Sequence, residues 1–163
     1  VRTRIAAIVV VAAGIVLGTS GCNLLAPQAT SLHYDASDGV NGSVGDVDVR
    51  NAVLVSNDDG DANLIVTFVN TGDSAHNLNV QYTAEGEKID QSFNVKANSS
   101  ITLGTDDAPS VIVEAEAAVA GSLFPVYFQY GNETGLELLV PVLDGTLAEY
   151  STLVPTAPPT PAG

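Results

Sequence analysis

Apolar and polar residues alternate with a period of two through most of the chain, and Gly, Asn and Asp interrupt the alternation about every 10–15 residues. Segment 47–55 (VDVRNAVLV) alternates at first and then turns mostly apolar, the pattern of a strand buried on both faces. The cluster Asn57-Asp58-Asp59-Gly60-Asp61 marks a tight turn, and 63–71 (NLIVTFVNT) reads as the return strand of a hairpin. Further strands are predicted at 78–83, with Leu78, Val80 and Tyr82 on one face, and at 88–95, with Ile89, Phe93 and Val95 on one face. Segments 99–104, 111–115, 125–130 and 135–142 complete the set. Pro125 and Pro141 cannot donate to a ladder, so their strands should be edges or begin at the proline. No long stretch after residue 22 carries a helical period. The fold class expected is therefore all-β, an antiparallel Ig-like or cupredoxin-like β-sandwich of seven to nine strands.

Residues 1–21 break this pattern. Arg2 and Arg4 precede the apolar run 5–18, which closes on the small residues Thr19, Ser20 and Gly21, the three-part layout of a secretory signal. The run is about 14 residues, short of the roughly 20 that a membrane-spanning helix needs. Cys22, the only cysteine, follows at once. A cysteine directly behind such a site resembles the bacterial lipobox, although Thr19 stands where that motif usually carries an aliphatic residue. Cys22 is thus the expected lipidation site. The implied organisation is a lipoprotein signal peptide at 1–21, a lipidated cysteine and tether at 22–32, a sandwich domain at 33–153 and a disordered Pro-rich tail at 154–163. The membrane, reached through a diacylglyceryl cysteine on the extracytoplasmic face, is then one partner. An envelope protein or the cell wall is the other candidate.

Charge narrows the function. The whole chain carries a formal net charge of −14. Both leader charges are arginines, so beyond them only Arg50, Lys88 and Lys96 stand against all 19 acids. Such a surface repels phosphate backbones, and no nucleic-acid partner is expected. With Cys22 acylated, no thiol remains for a disulfide, and the domain must be held by packing. There is no Met and no Trp, so Val, Leu, Ile and Ala must build the core.

Catalysis is not expected. A nucleophile–histidine–acid site needs a positioned histidine. Only His33, beside the tether, and His76, in the polar turn DSAHN, are available. No Gly-x-Ser-x-Gly elbow occurs, the acids are scattered, and no cofactor is implied. One alternative rests on hard oxygens: Asp58, Asp59 and Asp61, with Asn57 and Asn63, could support calcium-dependent binding of a ligand or of the cell wall, with Asp106 and Asp107 offering two more carboxylates. The spacing lacks the Asp-x-Asp-x-Asp-Gly register, and Asp, Asn and Gly also favour hairpin turns for conformational reasons. No metal is favoured.

The pieces Asp38-Gly39-Val40, Val44-Gly45-Asp46 and Val49-Arg50-Asn51, the strand pair VLVSNDDGDANLIVTFVN and the late Val140-Pro141-Val142 resemble actinobacterial LpqE-type cell-envelope lipoproteins. The same order is distantly similar to periplasmic copper chaperones of the PCuAC type, whose "I-x-I-P-A-G/N-S-x-x-x-L" stretch is matched from Phe93 to Leu103. That resemblance implies a cupredoxin-like sandwich. It also implies copper held by His and Met, with a His-x-Met pair shortly after that leucine. Here Ser110-Val111-Ile112 stands in that place, no histidine lies near 80–86, and the chain has no Met. Cu(I) selects imidazole and thioether ligands. Copper chaperoning is therefore disfavoured, and the expected function is a non-enzymatic, lipid-anchored envelope lipoprotein whose sandwich binds or scaffolds.

Overall fold

The computed structural model describes residues 2–19, 37–105, 107–115 and 117–156. Cys22, His33, Asp106 and the tether lie outside the described residues. Two compact units are present, 1–34 and 35–163. In the first, helix α1 (Arg2–Thr19) carries no acidic residue in its first turn and no basic residue in its last. Its apolar side chains at Ile5, Ile8, Val9, Val10 and Val11 are all exposed, so the helix has no single apolar face to pack on a core. Among the described residues no helix is long and apolar enough to cross a membrane.

The second unit is all β, as the alternation predicts. Its strands are β1 (Val40–Val44), β2 (Val47–Ser56), β3 (Asp61–Asn70), β4 (His76–Ala84), β5 (Glu87–Val95), β6 (Ser99–Leu103), β7 (Ile112–Glu114), β8 (Leu123–Gln129) and β9 (Leu136–Asp144). The hydrogen-bonded order is β5-β4-β8-β9-β2-β3-β6, with β1 added on β2 and β7 on β3. The alternation does not announce β1, because Val40-Asn41-Gly42-Ser43-Val44 has only two apolar residues and little strand propensity.

The two halves of this strip fold face to face. Phe68 on β3 meets Phe128 on β8 edge-on, with ring centroids 5.8 Å apart at 67°. The Tyr82 hydroxyl on β4 donates across to the Ile112 carbonyl on β7 at 2.9 Å. Leu78, Val80 and Tyr82 point inward as their spacing predicts, and Val95 is fully buried with Ile89 and Phe93 packed against the same cluster.

Strand β9 joins the halves, and it departs from a purely antiparallel sandwich. Residues 136–141 pair antiparallel with β8, whereas Val142–Asp144 pair parallel with Leu54–Ser56 of β2. Pro141 stands at the change of partner, opposite Leu123. Pro125 lies where β8 has β9 on one side only, since β4 pairs only with residues 127–129. Both prolines sit inside strands, at positions where a missing N–H leaves no ladder bond unmade.

A bulge in β2 decides what the domain must cover. The β2–β3 register shifts between Arg50 and Val53, and Asn51 there adopts φ 51°. Asn41 Oδ1 accepts from Asn51 N–H at 2.6 Å, and Asn51 Oδ1 accepts from Gly39 N–H at 2.9 Å. Before the bulge Val47 and Val49 face the main core. After it Ala52 and Leu54 do, which turns Val53 and Val55 to the opposite face. There they form a second core with Ile65, covered by Leu143, Tyr150, Leu153 and Val154. Each such aliphatic side chain removed from water contributes about 1.5–3 kcal/mol. Val154 and Pro155, assigned from composition to a solvated tail, are half-buried in this cover.

The cover is pinned by Tyr150, whose hydroxyl donates to Asp38 Oδ2 at 2.6 Å. That hydrogen bond, reinforced by partial burial, pushes the phenol up to about 12 from its ordinary value of 10.0. A raised native pKa means the contribution is complete below about pH 10 and is lost as pH rises through about 12. Tyr150→Phe should therefore lower stability at pH 8, and the deficit should vanish as pH approaches 12. Denaturant unfolding at both pH values, with tyrosinate absorbance followed in parallel, checks this.

Candidate functional site

A polar concavity lies where β3 begins and β7 ends. Asp61 opens β3 and Glu114 closes β7, and the two are register partners across that antiparallel pair. The next pair but one, Asn63 and Ile112, continues the wall. Together with Gly104, Ser110 and the segment 152–156 they line a cavity of about 430 Å³.

The loop after β6 shapes this wall. Gly104 at φ 79° turns the chain back so that its N–H donates to the Pro109 carbonyl at 2.9 Å, and the Val111 carbonyl accepts from Leu64 N–H at 2.9 Å. A Cβ on Gly104 would run into the Leu64 carbonyl oxygen and come within 3.0 Å of Asn63 Oδ1. Only glycine combines that φ with that approach.

Asn63 is the pivot. Its side chain is 6% exposed, and its Nδ2 donates to Gly104 O at 2.8 Å and to Leu153 O at 3.0 Å. Reversing the carboxamide would set its oxygen against two carbonyl oxygens, so the assignment is forced. Among the described residues Oδ1 is left buried with no hydrogen-bond partner, an acceptor deficit worth about 1–3 kcal/mol. Asn57 ties the same segment from the turn: its Nδ2 donates to Pro155 O at 3.3 Å, and its Oδ1 accepts from Asp59 and Asp61 N–H groups, both at 2.9 Å. Pattern alone offers Asn63 only as one more oxygen beside an acidic turn. Its partners lie 41 and 90 residues away, and no local spacing points to them.

The cavity is acidic and unbalanced. No Lys, Arg or His among the described residues lines it, and neither Asp61 nor Glu114 has a side-chain hydrogen bond or ion pair among them. Arg50 is engaged elsewhere, 2.6 Å from Asp48, and that hydrogen bond holds the Asp48 carboxyl below the usual range. Of the carboxylates considered for calcium, Asp61 reaches the cavity, while Asp58 and Asp59 are exposed in the turn that Asn57 organises. Among the described residues no group of three or more His, Cys, Asp or Glu side chains is placed to hold a metal.

His76 departs from the solvated turn histidine expected. It opens β4, stacks on Tyr130 with ring centroids 4.1 Å apart at 29°, and buries Nε2 without a partner among the described residues. The Tyr130 hydroxyl in turn accepts from Asp46 N–H at 2.9 Å. The stacking packs His76 against Tyr130 at the start of β4.

No protein-family model matches the chain, and no curated protein matches it. Among solved structures the fold is similar to the apo PCuAC domain from PmoF1, with a TM-score of 0.53 and 17% identity over 64% of this chain and 98% of that one. A copper-bound PCuAC domain from PmoF2 aligns with a TM-score of 0.47 and 13% identity, over 64% of this chain and 97% of that one. The first likeness establishes a shared β-fold.

The cavity at the start of β3 is lined mainly by oxygen donors. Ser110 and Ile112, the positions the sequence resemblance would give to His and Met, both line it. Around them stand carboxylate, carboxamide and hydroxyl oxygens.

The wall at Gly104 can be tested against a neutral reference. Gly60, at φ 95° with nothing within 4 Å of where a methyl group would stand, should lose about 1 kcal/mol on Gly60→Ala. Gly104→Ala adds a backbone clash and should cost about 3 kcal/mol or more, read from denaturant midpoints.

Proposed function

We propose that the chain is a non-enzymatic envelope lipoprotein, anchored by a diacylglyceryl group on Cys22, whose β-sandwich binds or scaffolds on the extracytoplasmic face of the membrane. One observation carries this reading: the sole cysteine directly follows Thr19-Ser20-Gly21 at the end of a basic, then apolar leader. The apolar character of α1 on every side suits a leader that inserts in lipid during export. Each buried CH₂ of an acyl chain adds about 0.8 kcal/mol, so two chains anchor stably without help from protein charge. The acidic domain would then be held off anionic headgroups rather than drawn onto them.

The binding role draws on the fold shared with a PCuAC domain and on the acidic cavity, which offers recognition groups but no arranged nucleophile and base. The cargo is not copper in this reading, because the oxygen-rich lining and the lack of any Met remove the ligands that cuprous ion selects. Likeness to LpqE-type lipoproteins in short motifs points the same way.

Fractionation of the producing bacterium with intact-mass analysis tests the anchor. The expected result is a membrane-bound chain that begins at Cys22 and carries a diacylglyceryl adduct, with Cys22→Ala moving the protein to the soluble fraction. An unmodified, soluble wild type would refute it.

A further inference from the structure

Two features of the cavity at the start of β3 are left without a partner among the described residues. Asp61 and Glu114 face one another across β3 and β7 with no cation beside them. Asn63 is more than nine-tenths buried, and its Oδ1 lacks any donor. Everything these three side chains have to offer is an acceptor. The hydroxyls of Thr105, Ser110 and Thr152 add groups that adapt as donor or acceptor.

The volume selects among cations. Calcium takes six to eight oxygens at close range, and no three carboxylates or imidazoles converge among the described residues. A cavity of about 430 Å³ is instead large enough for a group of several heavy atoms, since a single water occupies only about 30 Å³. A ligand that balances two carboxylates and also satisfies a carboxamide oxygen must carry both positive charge and N–H bonds. From this we infer that the cavity binds the ammonium or guanidinium end of a small organic cation, with Asp61 and Glu114 neutralising its charge and Asn63 Oδ1 accepting one N–H. Less than 1 Å² of Oδ1 is exposed, so binding parts the 152–156 wall from Gly104 before the N–H arrives. Leu153, whose carbonyl Asn63 holds, reports that movement. The inference rests on the reading of the domain as a binding module but not on its anchor. Repeating the titration on Cys22→Ala therefore separates a failure of the site from a failure of lipidation.

The test is a titration of the full chain, followed by amide chemical shifts, with four probes: cadaverine for ammonium, arginine amide for guanidinium, tetramethylammonium for charge without N–H, and calcium chloride. The expected result is saturable shifts at Asn63, Gly104, Glu114 and Leu153 with cadaverine or arginine amide, the stronger of the two naming the headgroup. Tetramethylammonium should bind about tenfold more weakly or worse. The double variant Asp61→Asn, Glu114→Gln should lose about tenfold or more in affinity while its unfolding midpoint does not fall, because neither carboxylate makes a side-chain hydrogen bond or ion pair among the described residues and neutralising both relieves their mutual repulsion. Equal binding of tetramethylammonium, tighter binding of calcium, undiminished binding by the double variant, or no saturable shift at these amides would each overturn the proposal.

Discussion

A single bulged residue, Asn51, sets what the rest of the domain has to accomplish. By inserting one left-handed position into β2 it exchanges the two faces of that strand, so that four consecutive apolar residues, Ala52 to Val55, serve two cores instead of one. The main core gains Ala52 and Leu54. The outer face acquires Val53 and Val55, which water would otherwise wet. Strand β9 passes beside β2 in parallel at this very stretch and leads the chain out over that face. The C-terminal segment then supplies Tyr150, Leu153 and Val154 as the cover. In a domain with no disulfide, this apolar closure and the inter-sheet contact of Phe68 with Phe128 replace covalent staples.

The closure also builds the site. Once Leu153 and Pro155 lie over β3, their carbonyls need donors, and the carboxamides of Asn63 and Asn57 provide them. The same segment becomes one wall of the cavity, with Asp61, Glu114 and the Gly104 loop as the others. The lining of the cavity and the stability of the fold therefore share residues. Asn63 holds two backbone carbonyls with its nitrogen and keeps its oxygen unused, a tension that a stability argument alone does not explain.

Much of this fold was legible because half-buried strands write their geometry as a period of two. Leu78, Val80 and Tyr82 or Phe93 and Val95 declare their faces without any knowledge of partners. Pairing across the sheet is a different matter. Nothing in 136–144 distinguishes residues that ladder antiparallel to β8 from those that run parallel to β2. Asn51 looks like one more polar position, yet its left-handed backbone reverses every face beyond it. The site was less legible still. Asp61 stood out, but among turn acids that go to solvent, and Asn63 became significant only through contacts with Gly104 and Leu153. The prolines after Val154 suggested a free tail because composition does not reveal that Val154 finds an apolar face. The lipidation proposed for Cys22 is the reverse case, read from sequence alone at a position outside the described residues.

If closure over Val53 and Val55 is what completes both core and cavity, removing the cover must be felt by both. The direct measurement compares thermal unfolding and amide exchange of the full chain with a chain ending at Gly145. Loss of three apolar side chains and two carboxamide tethers should lower Tm by about 10 °C or more. The amides of Asn57 to Leu64 should lose protection while those of β4 and β5 keep most of theirs. An unchanged Tm with Asn63 still protected would contradict the account, and would mean that the C-terminal segment rests on the domain without being part of it.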